Sequence, residues 1–524
     1  MIFALHHILE KAAKKFPEKE AFRFLEESIT YKDLDYKSNQ LAYSLIKKKL
    51  TKGDRVGIYM NRCLETTIAV YGILKAGGVY VPLDPFAPYE RTTTLIKDCS
   101  IDHLITNDKQ EKRVYKITNT ASSPNHIIGC TKELDVKYTS WNTIFEMDMK
   151  GYTAPKVLEQ DLAYILYTSG STGTPKGIMH THYSGINFAK LVIDLYNFES
   201  NDKIAITAPL HFDPSTLGYF SSPLVGATCV IVSDMHIKLP ASLAQLMEKE
   251  KFTVWFSVPL ILIQLLQKGG IKERNYDSLR WVLFSGEVFA TKHLRSLMEI
   301  WPNKKYSNIY GPTEVNQCTY YNFEKPPTTD APIPIGHVWE NTEFKILDTK
   351  DKEVSEGEKG LLVIRSGTMM KGYWNNSELT STSLYKEKIL DGVEKIYYRT
   401  GDLVKLNRKG ELLFFGRKDR QIKIRGFRVE IDEIENTLMK FPYVKEAAVV
   451  VVEENEEKQI YSVVILNGSK DILDVKEIFS FCKKLLPVYA IPEKIVIWEK
   501  FPRTSTGKID RKSIEKKLSI SKYG

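Results

Sequence analysis

The segment YTSGSTGTPKG (167–177) carries the strongest chemical signal in the chain. An apolar stretch, LAYILYT (162–168), runs into glycines and hydroxyl residues and ends in Pro175, Lys176 and Gly177. Gly170 and Gly173 let the backbone approach closely, so that N–H groups can face an anion. The hydroxyls of Thr168, Ser169, Ser171 and Thr172 add donors, and Lys176 adds a positive charge for outer phosphates. A surface linker can share this composition, but linkers seldom follow a buried strand and end in a fixed lysine. The loop is not a Walker A sequence, which ends in Gly-Lys-Ser/Thr, because Pro175 precedes Lys176. That sets the chain apart from P-loop kinases and NTPases.

The loop resembles the phosphate loop of the adenylate-forming superfamily: acyl-CoA synthetases, luciferases and the adenylation domains of nonribosomal peptide synthetases. Further motifs of that superfamily follow in order over essentially the whole chain. They are LKAGGVYVPLDP (74–85), YGPTE (310–314), YRTGDL (398–403), GRKDRQIKIRGFRVE (416–430) and PRTSTGK (502–508). The resemblance implies an adenine site at Tyr310, with Gly286, Asn308, Gly311 and Thr313 also on the nucleotide. It further implies magnesium on Glu314, ribose hydroxyls on Asp402, a second ribose and phosphate contact from Arg417, a hinge at Asp419 and a catalytic lysine at Lys508. Taken singly, Asp402 or Glu314 reads as a surface carboxylate or helix cap, Tyr310 as a half-buried aromatic, and Lys508 as a lysine near a frayed end. The whole set at family spacing favours the functional reading.

The chemistry explains why these residue types are needed. A carboxylate is a weak nucleophile that must approach the anionic α-phosphate of ATP, so catalysis has to neutralise charge and align the reactants. Magnesium on Glu314, with Lys176 and Lys508, would do the first, and the ribose and adenine contacts the second. Placing Lys508 beyond the Asp419 hinge lets it leave after adenylation, and the resemblance implies that the rotated domain then presents the loop around Gly426.

The segment HFDPSTLGYF (211–220) bears on the substrate class. Amino-acid adenylation domains place an aspartate after a phenylalanine here, and Asp213 occupies that place. A carboxylate in an apolar pocket is costly unless it meets a cation, which argues for a substrate amine. A helix cap before Pro214 is the plainer alternative. The family's specificity positions fall on Asp213, Pro214, Leu217, Phe256, Leu283, Ser285, Ile309, Gln317 and Cys318, closed by Lys508. Such a pocket suits a compact, uncharged side chain. The stretch GPTEVNQCTYY resembles stand-alone proline activators, although Gln317 departs from the apolar residue expected there. The chain ends soon after Lys508 without a carrier motif, so the expected thiol is that of a separate phosphopantetheinyl carrier protein, with coenzyme A as second choice. Alternatives are a D-alanine–carrier protein ligase, which GEVFA (286–290) resembles, an acyl-CoA ligase for a non-amino acid, and an inactive binding module.

These residues need a scaffold. The chain's 524 residues exceed one simple core. Between about 50 and 420, short apolar runs such as VGIYM (56–60), CVIVSD (229–234), TVWFSV (253–258) and WVLFSG (281–286) alternate with helix-length segments. This predicts an α/β fold with mostly parallel sheets. Beyond about 420 the pattern becomes a compact α+β unit, giving domains 1–418 and 419–524. The N-terminus predicts an amphipathic helix with Phe3, Ile8, Leu9, Ala12 and Phe16 on its apolar face, and not a signal peptide. No apolar run reaches the roughly 18 residues of a membrane span, so a cytoplasmic soluble protein is expected. Six scattered cysteines without a CxxC pair argue against a disulfide framework or zinc site. His180 and His182, two apart, are a possible but more often structural pair. The formal charge of +9 is diffuse and carries no nucleic-acid signature.

Overall fold

The computed structural model describes residues 1–131, 134, 136–170, 174–454, 457–467, 474–504 and 508–520. Two mixed sheets, of nine and eight strands, make up most of the large N-terminal part, with a third, antiparallel sheet beside them. In the nine-stranded sheet, Lys203–Ile206, Val254–Ser257, Trp281–Ser285 and Lys305–Tyr310 run parallel. In the eight-stranded sheet, Arg55–Ile58, Val79–Pro82 and Leu162–Thr168 do the same. VWFS and WVLFS are buried along their full length, as expected of parallel strands covered on both faces. The predicted α/β class with mostly parallel sheets is therefore what the chain adopts.

The C-terminal part is the smaller α+β unit that the sequence pattern indicates. Helix Ile431–Met439 precedes the antiparallel pair Val444–Glu454 and Glu457–Leu466. Helix Val475–Leu485 follows, and strand Lys494–Ile497 then pairs in parallel with the second strand. The acidic residues Glu453, Glu454 and Glu457 lie at the turn end of that hairpin; Asn455 and Glu456 fall outside the described residues.

The N-terminal helix runs His6–Lys15 and buries Ile8, Leu9 and Ala12. Phe3 departs from its predicted place on the apolar face: it precedes the helix and is exposed, whereas His6 is buried on the core side. Phe16 lies just beyond the last turn, partly buried against the core. All six cysteines are buried free thiols. No helix among the described residues is long and apolar enough to cross a membrane.

Candidate functional site

The glycine-rich loop is the connection of a β-hairpin. Leu162–Thr168 pairs antiparallel with Lys176–Thr181, and Thr168 stands opposite Lys176, closing the loop between them. A side chain at Gly170 would bring its Cβ within 1.9 Å of the Thr174 carbonyl oxygen, so close backbone approach here requires glycine. Ser171, Thr172 and Gly173 lie outside the described residues. The Thr168 hydroxyl is buried without a partner among the described residues, a donor left available at the foot of the loop.

Beyond the strand Lys305–Tyr310, the chain turns through the 3-10 segment Thr313–Val315. Gly311 permits that turn, since a Cβ there would meet the Asn316 carbonyl at 2.1 Å. His180, stacked on Tyr164, anchors the turn through Nε2 to the Thr313 carbonyl at 2.9 Å. His182 instead accepts the Leu5 N–H. The two histidines thus tie different elements together. Glu314 is fully buried. It accepts hydrogen bonds from Tyr373 Oη at 2.8 Å and from Arg428 Nη1, whose distances to the two carboxylate oxygens are 3.0 and 2.8 Å. Burial alone would raise its pKa; the Arg428 charge and these hydrogen bonds outweigh that and pull it down to about 2.

Asp402 lies on the long strand Val393–Leu406 and receives Arg417 Nη1 at 2.8 Å together with the Tyr310 hydroxyl. Burial holds its carboxyl above the ordinary range despite Arg417. Arg417 also grips Asp419 through two bonds of 2.7 Å each. Asn308 donates to the Pro334 carbonyl at 2.8 Å, one strand residue before Ile309 and Tyr310. The structure therefore groups Tyr310, Asp402, Arg417 and Asp419, and places Glu314 and Lys176 within reach of one hairpin from the C-terminal part.

A cavity of about 690 Å³ opens beyond the C-terminal ends of the parallel strands, the usual ligand position in α/β sheets. Pro214, Leu217, Phe256 and Ser285 line it. Leu283 and Ile309 do not reach this wall; they pack in the core with Leu217 and Phe256. Both side chains are enclosed by their neighbours, although Ile309 stands opposite Ser285 and Leu283 opposite Phe256 in the sheet. Gln317 and Cys318 are buried outside the lining, and neither end of the Gln317 amide has a partner among the described residues. Asp213 directs Oδ1 at the Thr313 hydroxyl at 2.8 Å, next to the cavity residues Phe212 and Pro214. Burial pushes its carboxyl upward, opposed by the Thr313 hydrogen bond and the charge of Lys423.

Lys508 departs from the predicted pocket closure. It is exposed, outside the cavity lining, and its carbonyl accepts the Thr504 N–H. The hairpin of Gln421–Ile424 and Phe427–Glu430 stands at the site instead. Its tip is a close fit: Gly426 has φ +82°, and a Cβ there would lie 2.4 Å from Val258 Cγ1. The Gly426 N–H donates to Glu287, and Ser169 Oγ donates to the Arg428 carbonyl at 3.0 Å. Lys176 meets Glu430 at 3.4 Å, and Arg91 meets Glu433 at 2.7 Å. With this face of the C-terminal part docked, Lys508 stands away from the cavity. Lys423, Arg428 and Glu430 lie within the motif 416–430 and Glu287 within 286–290, but neither motif assigns them a role, and Tyr373 lies outside every motif.

The family model for AMP-binding enzymes matches residues 9–374, and that for the AMP-binding enzyme C-terminal domain matches residues 433–508. Bacitracin synthase 1 of Bacillus licheniformis is 33% identical over 512 residues, covering 97% of this chain but only 9% of its own length. The L-proline–[L-prolyl-carrier protein] ligase of Pseudomonas fluorescens is 29% identical over 517 residues, covering 98% of this chain and 99% of its own. The chain thus spans a small fraction of the first relative and nearly all of the second. The solved adenylation domain AlmE of Vibrio cholerae, in complex with glycyl-adenosine-5'-phosphate, superposes with a TM-score of 0.85 at 24% identity over 99% of this chain and 98% of that one, so the fold is shared. Matched over most of its length by the family and by its C-terminal companion, the chain belongs to the AMP-binding enzymes.

Proposed function

We propose that the protein uses ATP to convert an amino acid to its aminoacyl-AMP with release of pyrophosphate, then transfers the aminoacyl group to the phosphopantetheine thiol of a separate carrier protein. The observation that carries the amino-acid reading is Asp213. It is a carboxylate beside the cavity wall whose described partner is a neutral hydroxyl, and in an apolar setting it calls for a cation. A substrate α-ammonium group supplies one. The apolar wall of Pro214, Leu217 and Phe256 suits a compact uncharged side chain, with L-proline the leading candidate. The full-length similarity to a prolyl-carrier protein ligase supports that choice.

In this reading the loop 167–177 and Lys176 hold the phosphates, Tyr310 and Asn308 flank the adenine, and Asp402 with Arg417 holds the ribose. Glu314 fits a magnesium ion, because it is a fully buried carboxylate already matched to a positive charge. Bound there, the metal would neutralise charge on the phosphates. Asp213 orients the substrate so that its carboxylate meets the α-phosphate in line, and Lys508 offsets the negative charge that develops. The domains divide at 418/419 with a hinge at Asp419. In support, the strand Leu412–Arg417 pairs with the large part while the next hairpin begins at Gln421. The cavity continues to Arg425, Gly426, Val488 and Tyr489 of the C-terminal part, so a long thiol arm can enter between the domains.

The test is ATP–pyrophosphate exchange over a panel of amino acids and their desamino counterparts, followed by loading of a phosphopantetheinylated carrier. Exchange is expected with proline or another compact uncharged amino acid and not with charged ones. Exchange driven only by acids lacking an amine would overturn the amino-acid reading.

A further inference from the structure

The hairpin that docks on the site carries two cations opposite each other. Lys423 and Arg428 are cross-strand partners, so both side chains project from one face of a two-stranded ribbon. Like charges in that position are destabilising unless each meets an anion. Arg428 meets Glu314 with both carboxylate oxygens within 3.0 Å of Nη1. Lys423 acts electrostatically on Asp213 and Asp402. Glu430, on the same strand as Arg428, engages Lys176. The hairpin therefore presents charges opposite to those of the residues proposed to hold substrates: a cation for Glu314 and an anion for Lys176.

We propose that Arg428 is a positioning residue that takes the place on Glu314 held by a divalent cation during adenylation, so that metal-nucleotide binding and hairpin docking exclude each other. This rests on the adenylating function proposed above. A fully buried carboxylate is strongly unfavourable without a cation. One guanidinium nitrogen, Nη1, reaches both oxygens when the metal is gone. A divalent cation on those same oxygens would lie against the guanidinium, where like charges repel. Each occupant thus favours one orientation of the C-terminal domain, and the coupling is reciprocal. The metal nucleotide weakens docking, docking weakens metal-nucleotide binding, and release of the charged products clears Glu314 for Arg428.

The test uses the full chain and needs no amino acid. Mn²⁺ binding is measured by electron paramagnetic resonance in the presence of a non-hydrolysable ATP analogue. The distance between spin labels on the two domains reports docking. In the parent, Mn²⁺ with the analogue should deplete the docked population. Arg428→Met should undock the hairpin without ligand and tighten Mn²⁺ binding by at least about fivefold, the lower end of usual coupling factors. Arg428→Lys, which keeps the charge on a shorter side chain, should fall between them and show that loss of charge, not misfolding, is responsible. Unchanged Mn²⁺ affinity in both variants, or a docked population in the parent that ignores the metal nucleotide, would overturn the proposal. Because these readouts depend only on metal and nucleotide, they stand apart from a failure to find an amino acid in the exchange panel.

Discussion

In the proposed function, the substrate class turns on Asp213. Its carboxyl is raised by burial and held by one hydroxyl, Thr313, an arrangement completed by an ammonium group. Replacing it with alanine should abolish activation of amino acids while sparing or improving the matching acid without an amine. Losing one partner of a buried ion pair costs roughly 3–5 kcal/mol, which corresponds to at least about a hundredfold in kcat/KM. Pyrophosphate exchange with proline and with cyclopentanecarboxylic acid, on parent and Asp213→Ala side by side, checks this. A variant that treats both acids as the parent does removes Asp213 from substrate recognition. Residues of this kind are legible in the sequence through the motifs that carry the family resemblance. Asp213, Glu314, Asp402 and Lys176 can be picked out before any coordinates exist. Leu283, Ile309, Gln317 and Cys318 are less so, because whether a side chain lines a cavity is decided by the tertiary packing around it. Ser285 reaches the wall and Leu283 does not.

Among the elements, the parallel strands and their order of appearance follow from continuous apolar runs, whereas for the hairpin Gln421–Glu430 the resemblance implies that the loop around Gly426 is presented to the site but not which residues it meets. Its alternating cations and its glycine suit an exposed turn equally well. Only docking explains them, since Gly426 packs against Val258 and the Gly286–Glu287 corner. Gly426→Val tests this contact. The substitution would place a β-branched residue at φ +82°, with its Cβ 2.4 Å from Val258 Cγ1, and a branched side chain is strongly disfavoured at positive φ. The tip should no longer seat. Thioester formation, measured as aminoacyl loading of the carrier, is expected to fall by at least about tenfold, the equivalent of ~1.4 kcal/mol. Pyrophosphate exchange, which does not use this orientation in the proposed scheme, should change much less. Equal loss of both half-reactions would show that the hairpin is a structural element of the large domain and not a docking device.

For the whole molecule, the decisive fact is which face of the C-terminal domain meets the site. The motif reading brings Lys508 to the substrate, whereas the structure brings Arg428, Glu430 and Gly426. Both can hold if the domain turns about Asp419. Arg417 grips that residue in the present orientation, and the Lys418 N–H donates to the Gly401 carbonyl. Sequence motifs do not record which residues stand together at one moment, so the lysine proposed as catalytic is found by its motif while its present place on the surface is not. The consequence is a separation of half-reactions in Lys508→Ala. Lys508 is exposed here and lines no part of the cavity, so its removal should leave the docked orientation, the fold and thioester formation from preformed aminoacyl-AMP close to parent values. Adenylation should suffer instead, because the ammonium group acts on charge that develops as the α-phosphate is attacked. Removing one such group typically costs on the order of 100- to 1,000-fold in kcat, with KM for ATP changed far less because the loss falls on the transition state. Single-turnover assays of each half-reaction, one started with ATP and amino acid and the other with synthetic aminoacyl-adenylate and holo-carrier, separate the two. If Lys508→Ala slows both to the same degree, the two faces do not alternate at one site, and a fixed arrangement with Lys508 away from the chemistry replaces the rotating one.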